Sequence, residues 1–247
     1  MPNSSVTAFF AHKDGNHPVD YEDAFAVSLT SRSDEPVRYA IADGATESSF
    51  AGQWAEALVR AFAQNRLNLT PAFQPELQSL KVAFNQNVNR QAAGLPWHSL
   101  EKIHHGAHAT FLGVELQGTT MRMVAVGDSC LFLIRRNQFS FAFPLVHSRS
   151  FGNSPELVNS QESAPARLGQ GKYKQADLSI EPGDQVFLLT DALAHWFLHS
   201  SEKGETPWTT LTAVAGSGTK GFERWIAEQR NTGKMKNDDV TFISFQV

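Results

Sequence analysis

Apolar and polar residues alternate along several short stretches of the chain, which is the pattern of half-buried β-strands. The alternation, together with one nearly continuous apolar run, predicts strands at 6–12, 24–29, 39–42, 109–116, 120–126, 130–135, 185–190 and 240–245. The three strands at 109–116, 120–126 and 130–135 are interpreted as an antiparallel meander, with Asp128 at its second turn. The polar stretch 30–36 predicts a hairpin that makes the strands before and after it antiparallel neighbours.

Helical spacing of apolar residues predicts helices at 48–65 and about 75–92, a helix that starts directly after Asp191, and another around 221–229. Three tryptophans on the apolar faces of these helices are predicted to be core residues: Trp54, Trp196 and Trp225. The first helix has three candidate N-caps: Thr46, Ser48 and Ser49. Gly216-Ser217-Gly218 is interpreted as a flexible linker. The polar segment 137–174 is either a flap, which we favour, or a short subdomain. Strands mixed with helices indicate one α+β layered domain over residues 1–247.

Acidic residues stand beside the ends of the predicted strands at five places: Glu22-Asp23, Asp43, Asp128, Asp191 and Asp238-Asp239. A carboxylate at the end of a buried strand is costly unless a cation or hydrogen bonds compensate it. Asp43-Gly44 alone is also typical of a simple β-turn. The repetition favours one shared metal site. Clustered carboxylates select hard cations such as Mg²⁺ or Mn²⁺, and two such ions activate a water and neutralise a phosphoryl group.

Composition narrows the possible partners and the compartment. The chain has 247 residues, a net charge of -4 and a pI near 6.1, so it lacks the basic field that nucleic acid or an anionic membrane requires. The single cysteine, Cys130, lies in an apolar run and is predicted to be a buried thiol. No run approaches the ~18 apolar residues of a membrane helix, and no export signal precedes the first strand. We expect a cytoplasmic monomer.

The order of these motifs resembles that of the metal-dependent protein phosphatases (PPM, or type 2C serine/threonine phosphatases), with the character of a divergent bacterial-type member. The matching motifs are Tyr21-Glu22-Asp23, Ala42-Asp43-Gly44, Val126-Gly127-Asp128-Ser129, Pro182-Gly183-Asp184 leading to Leu189-Thr190-Asp191, and Asp238-Asp239-Val240-Thr241. The resemblance covers nearly the whole chain. It implies a four-layer α-β-β-α sandwich, in which two central antiparallel sheets are flanked by helices.

The resemblance also implies a set of metal ligands. Asp43 would bridge two Mg²⁺ or Mn²⁺ ions, and Gly44 would offer its carbonyl oxygen. Asp191 and Asp238 would complete the shell of one ion. Glu22 would serve the other ion through water, with Asp23 orienting the ligands. Asp128 would hold a third, weaker ion, or would belong to a simple hairpin turn.

The implied activity is hydrolysis of phosphoserine and phosphothreonine by a metal-bridging water, with Asp43, Asp191 and Asp238 as the catalytic residues. The substrate would be a phosphorylated protein, paired with a cognate serine/threonine kinase. The rival interpretation is a catalytically silent phosphoprotein-binding or regulatory module on the same fold.

Two departures from the family pattern motivate that rival. Family members often carry a phosphate-holding arginine a few residues before the Glu-Asp pair, but here the corresponding place is near Pro18. Ala45 begins a loop that lacks the usual glycines. The N-terminal loop and the flap carry cationic or titratable side chains that could hold the phosphate instead of this arginine. The candidates are His12, Lys13, His17, His147, Arg149 and Arg167.

Overall fold

The computed structural model describes residues 6–28, 35–69, 73–92, 103–152, 154–161 and 173–247. Its strands are β1 (Thr7–Ala11), β2 (Ala24–Val27), β3 (Val37–Ala42), β4 (His108–Ala109), β5 (Phe111–Gln117), β6 (Thr120–Val126), β7 (Cys130–Arg135), β8 (Gln138–Phe143), β9 (Val158–Asn159), β10 (Lys174–Ser179), β11 (Gln185–Leu189) and β12 (Val240–Gln246). Its α-helices are α1 (Ala51–Ala63), α2 (Phe73–Gln91), α3 (Asp191–Glu202), α4 (Pro207–Gly216) and α5 (Gly218–Asn231).

The chain forms two compact units. Unit 1 comprises Met1–Tyr21, Asp128–Pro155 and Ser179–Val247, and unit 2 comprises Glu22–Gly127 and Glu156–Leu178. Each unit is built around one five-stranded antiparallel sheet. The assignment of residues 1–247 to a single domain stays a prediction.

Unit 1 has the strand order β1-β12-β11-β7-β8. Its helices cover this sheet with an aromatic core, in which the rings of Phe132 and Phe197 stack with centroids 4.3 Å apart. Phe222 from α5 stacks on Phe9 and Phe242. Because the residues that face this core are almost all large and apolar, their burial stabilises strands that would otherwise be short and isolated.

Unit 2 has the strand order β10-β6-β5-β3-β2, and β4 pairs with β9 beside it. Helix α1 packs on β2 and β3, and its Trp54 is fully buried, with Nε1 donating to the carbonyl oxygen of Val158 at 2.8 Å. A buried ion pair joins Arg38 to Glu115 at 2.8 Å. None of the helices in the described ranges combines the length and the apolar character needed to cross a bilayer.

Most of the predicted strands and helices are present, with ends shifted by a few residues. The predicted antiparallel pairing of β2 with β3 is confirmed, and Cys130 is buried as expected. The N-cap of α1 was predicted wrongly. Phe50 caps this helix in a left-handed conformation (φ 64°) without a side-chain hydrogen bond. The Ser48 hydroxyl instead accepts a hydrogen bond from the His108 amide at 3.0 Å and donates to the carbonyl oxygen of Ala45.

The predicted meander is also wrong in its last strand. β5 pairs with β6, but β7 pairs with β8 and β11 in the sheet of unit 1. Gly127-Asp128 is therefore the point where the chain passes from one sheet to the other, and the alternative of a simple hairpin turn at Asp128 is excluded. The positive φ of Gly127 (96°) suits this sharp change of direction.

Two further differences concern predicted loops. The segment interpreted as a flap begins with strand β8, whose residues 139, 141 and 143 are all phenylalanine. Residues 153 and 162–172 of that segment lie outside the described ranges. The predicted linker at Gly216-Ser217-Gly218 is instead a tight junction, because α4 ends at Gly216 and α5 begins at Gly218.

Candidate functional site

In unit 2, the pairing of β2 with β3 brings two of the predicted acidic motifs to the same sheet edge. Ala24 pairs with Ala42, so Glu22-Asp23, which precede β2, and Asp43-Gly44, which follow β3, lie at adjoining strand ends. The antiparallel hairpin predicts that these two acidic motifs lie at the same sheet edge, and the strand register confirms this prediction.

Gly44 is required by this close approach. A Cβ atom on Gly44 would lie 2.7 Å from the carbonyl oxygen of Glu22 and 2.8 Å from the carbonyl carbon of Ala51. Any larger residue would push the two acidic segments apart. The backbone of Asp43 is fixed from the other side, because its amide donates to Thr110 Oγ1 at 2.9 Å and its carbonyl accepts from the Thr110 amide at 2.8 Å.

In unit 1, the strand ends place three other predicted acids along the same edge of the sheet. Asp191 follows β11 and is the first residue of α3, where a negative charge is favoured by the helix dipole. Asp238 lies just before β12 and Asp128 just before β7, and both of these strands run antiparallel to β11. The ends of all three central strands therefore deliver a carboxylate to the same side.

These carboxylates influence one another strongly. Burial and the nearby charge of Asp191 raise the pKa of Asp128 to about 7. Burial also raises the pKa of Asp191, with Lys236 opposing the shift and Asp238 adding to it. Asp128 Oδ1 is buried and accepts no hydrogen bond from the described residues. A buried carboxylate oxygen of this kind fits a divalent cation, which would compensate the cost of desolvation.

Two lysines lie against the acidic edge of unit 1. Lys236 Nζ is 2.5 Å from Asp238 Oδ2 and 3.5 Å from Asp191 Oδ2. Lys13 Nζ is 3.8 Å from Asp238 Oδ1, and its amide donates to Asp239 Oδ1 at 2.7 Å. Burial opposes the charge of Lys236, but the hydrogen bond to Asp238 and the two carboxylate charges raise its pKa overall.

The complete ligand set stays a prediction. Among the described residues, no three or more His, Cys, Asp or Glu side chains gather in the arrangement of a preformed metal site. The predicted ligands are divided between the units, with Glu22, Asp23, Asp43 and Gly44 in unit 2 and Asp128, Asp191 and Asp238 in unit 1.

The candidates for holding phosphate differ in their surroundings. His17 caps the short 3₁₀-helix Pro18–Asp20, so it has a structural role there. Arg149 is exposed in the 3₁₀-helix Ser148–Ser150, and His147 lies 3.7 Å from Glu202. Arg167 lies outside the described residues. Of the six candidates, Lys13 is the one whose described contacts reach a predicted metal ligand.

The comparison with protein-family models decides the assignment. The model of protein phosphatase 2C matches residues 12–229 of the chain. The chain belongs to the protein phosphatase 2C family. The resemblance seen in the five acidic motifs is thereby confirmed. No curated protein sequence matches the chain.

Solved structures of the same family share the fold. A bacterial serine phosphatase has a TM-score of 0.63 at 11% identity, covering 99% of this chain and 98% of its own. The serine/threonine phosphatase PstP/Ppp of Mycobacterium tuberculosis has a TM-score of 0.60 at 17% identity, covering 99% and 98%. RsbX in complex with magnesium has a TM-score of 0.54 at 16% identity, covering 100% and 96%. The predicted fold class, an α+β sandwich with two antiparallel sheets, is confirmed.

Three residues beside the acidic edges were missed by sequence reasoning. Lys236 precedes Asp238 by two positions, and this Lys-x-Asp spacing in a non-helical segment was the available signal. Thr110, which lies between β4 and β5, holds the backbone of Asp43 by hydrogen bonds. Arg230, at the end of α5, holds the backbone of Asp238. Neither has a sequence signal, because each acts through contacts with residues far away along the chain.

Proposed function

We propose that this member of the protein phosphatase 2C family is a metal-dependent serine/threonine phosphatase that removes phosphate from phosphorylated protein. The observation that carries the proposal is the acidic edge of unit 1. There, Asp191 follows β11, Asp128 and Asp238 precede the neighbouring strands β7 and β12, and Asp128 Oδ1 is a buried oxygen suited to a cation.

The proposed cofactors are two Mg²⁺ or Mn²⁺ ions, with a third at Asp128. The predicted ligands at both acidic edges offer oxygen atoms, which suit these hard cations. The proposed ligands are Asp43, Gly44, Glu22, Asp191 and Asp238, with Asp23 orienting the ligands. When bound, the ions would supply an activated water and neutralise charge on the phosphoryl group. RsbX, which shares the fold, was crystallised in complex with magnesium.

The residues around the acids would hold this geometry. Thr110 fixes the backbone of Asp43 through two hydrogen bonds, at 2.9 and 2.8 Å. Arg230 donates to the carbonyl oxygen of Asp238 at 2.5 Å. Lys13 supplies a positive charge beside Asp238 and is proposed to hold a phosphate oxygen in place of the arginine that is missing near Pro18. Arg149 and Arg167 stay as alternative phosphate-holding residues.

A second candidate function is a catalytically silent phosphoprotein-binding module. The observation that favours it is Lys236, whose ammonium pairs with two of the predicted ligands, Asp191 and Asp238. A protein that relies on this ion pair would keep the fold and bind phosphopeptides without turnover. A cytoplasmic location, a cognate kinase and a monomeric state belong to both candidates as predictions.

The experiment that separates them is a dephosphorylation assay on phosphoserine and phosphothreonine peptides, followed by mass spectrometry. The phosphatase proposal expects loss of the phosphate in Mn²⁺ or Mg²⁺ and none in excess chelator. Phosphopeptide binding without turnover in either metal would favour the silent module. Turnover that persists in chelator would overturn the metal-dependent mechanism.

A further inference from the structure

Lys236 occupies a position between two carboxylates that are held by other elements. Asp191 is anchored as the first residue of α3, and the backbone of Asp238 is held by Arg230. Lys236 itself lies in the short segment between α5 and β12, and its side chain is 66% exposed. The backbone that carries each carboxylate is thus held in place, whereas the largely exposed lysine side chain can move into solvent.

The ammonium of Lys236 compensates negative charge at this edge. Asp191 is 18% exposed and Asp238 is 23% exposed, so their mutual repulsion is screened less than on an open surface. One ammonium within 2.5 and 3.5 Å of the pair compensates both carboxylates at once. An ordinary surface salt bridge, by contrast, joins two exposed partners and contributes little to stability.

We propose that Lys236 is an internal competitor for the divalent cation that Asp191 and Asp238 would share. The ammonium and the cation need the same carboxylate oxygens, so binding of the ion requires the lysine to swing away. The lysine therefore lowers metal affinity and stabilises unit 1 when the ion is absent. This inference rests on the ligand set of the proposed function, and it adds a residue that regulates how readily the site is filled.

The test is a Mn²⁺ titration of the full chain by isothermal calorimetry, without substrate. Lys236→Met keeps most of the length and apolar stem of the side chain but removes its charge. Lys234→Met is the matched control, because Lys234 is exposed and lies two residues earlier in the same segment. We expect Lys236→Met to bind Mn²⁺ about tenfold more tightly than wild type, and Lys234→Met to bind it equally.

The metal-free proteins provide a second readout. Lys236→Met should melt at a lower temperature than wild type in chelator, because its acidic edge is no longer compensated. Lys236→Arg keeps the charge and should bind Mn²⁺ no more tightly than wild type. If Lys236→Met is not folded by circular dichroism, Lys236→Gln takes its place with the same expectation.

Each outcome bears on the inference separately from the phosphatase activity. Equal or weaker Mn²⁺ binding by Lys236→Met overturns the inference, even if the wild-type protein dephosphorylates peptides. Binding by Lys236→Met with none by wild type supports it, while removing the metal-dependent activity of the natural chain. Absence of binding by every variant overturns both.

Discussion

The guanidinium of Arg230 holds the backbone of Asp238, with Nη2 2.5 Å from the carbonyl oxygen of that residue. Its Nη1 donates to the carbonyl of His12 at 3.0 Å, so one side chain ties the end of β1 to the start of β12. Arg230 is half-buried and reaches these groups from the last turn of α5. The position of Asp238 therefore depends on a residue that belongs to no acidic motif.

Replacing Arg230 with methionine should weaken Mn²⁺ binding about tenfold, because Asp238 loses the hydrogen bond that fixes its backbone. Arg224→Met is the control, since Arg224 is exposed on the same helix. A purely structural role would lower the melting temperature of the metal-free protein and leave the Mn²⁺ affinity unchanged. Calorimetric titration beside thermal melts separates the two roles.

Divalent metal should stabilise the native protein. The acids at the edge of unit 1 repel one another, and a ligand that binds only the native state adds about 2.7 kcal/mol at a hundredfold excess over its Kd. For a chain of this size, that corresponds to a rise in Tm of roughly 5–10 °C. Melts in a Mn²⁺ series check this, with Asp191→Asn expected to lose most of the rise. A Tm that does not respond to millimolar Mn²⁺ would argue against clustered metal ligands.

The pair of Arg135 and Asp184 should make stability depend on pH. Burial alone would raise the pKa of Asp184, but hydrogen bonds from Arg135 and from the Glu181 amide, together with the Arg135 charge, hold that pKa below its ordinary value. Because the native pKa is the lower one, the stabilisation is present above the unfolded pKa of about 4 and is lost as pH falls through the native value.

Asp184→Asn should therefore lower the free energy of unfolding by about 1–3 kcal/mol at pH 7. The difference from wild type should shrink as the pH falls towards 4 and below. Urea unfolding across this pH range measures both quantities. A difference that stays constant with pH would show that the ion pair is not its source.

Kinetics of single variants compare Lys13 with Arg149 as the residue that holds the substrate phosphate. Lys13 lies 3.8 Å from Asp238, whereas Arg149 is exposed on the 3₁₀-helix Ser148–Ser150. We expect Lys13→Met to raise KM for a phosphopeptide about tenfold with little change in kcat, which is the signature of lost ground-state binding. Arg149→Met should have the smaller effect. The reverse order would assign the phosphate to the segment that contains Arg149.

The acidic sheet edges could be predicted because strand ends have a local signal. Asp43 and Asp191 each end an apolar run, and Asp238 precedes a regular alternation of apolar and polar residues. Antiparallel pairing then brings such ends together without any knowledge of side-chain packing. For this reason, the strand pairing of β2 with β3 was predictable from the sequence.

Other features depend on contacts that the sequence does not display. Strands that are consecutive in sequence usually pair, which favoured a meander. However, β7 does not pair with β6; it pairs with β11 in the other sheet. Lys236 lies in a loop and Arg230 at a helix end, and both contact acidic residues at strand ends. These contacts arise from tertiary packing, so no periodic pattern marks them.

We propose that the carboxylates at the acidic edges carry out phosphoester hydrolysis. The most direct measurement is kcat/KM for a phosphothreonine peptide in Mn²⁺, compared between Asp191→Asn and Asp177→Asn, where Asp177 is an exposed acid on β10. We predict that Asp191→Asn lowers kcat/KM at least about hundredfold and that Asp177→Asn leaves it unchanged. Equal activity of the two variants would contradict the account.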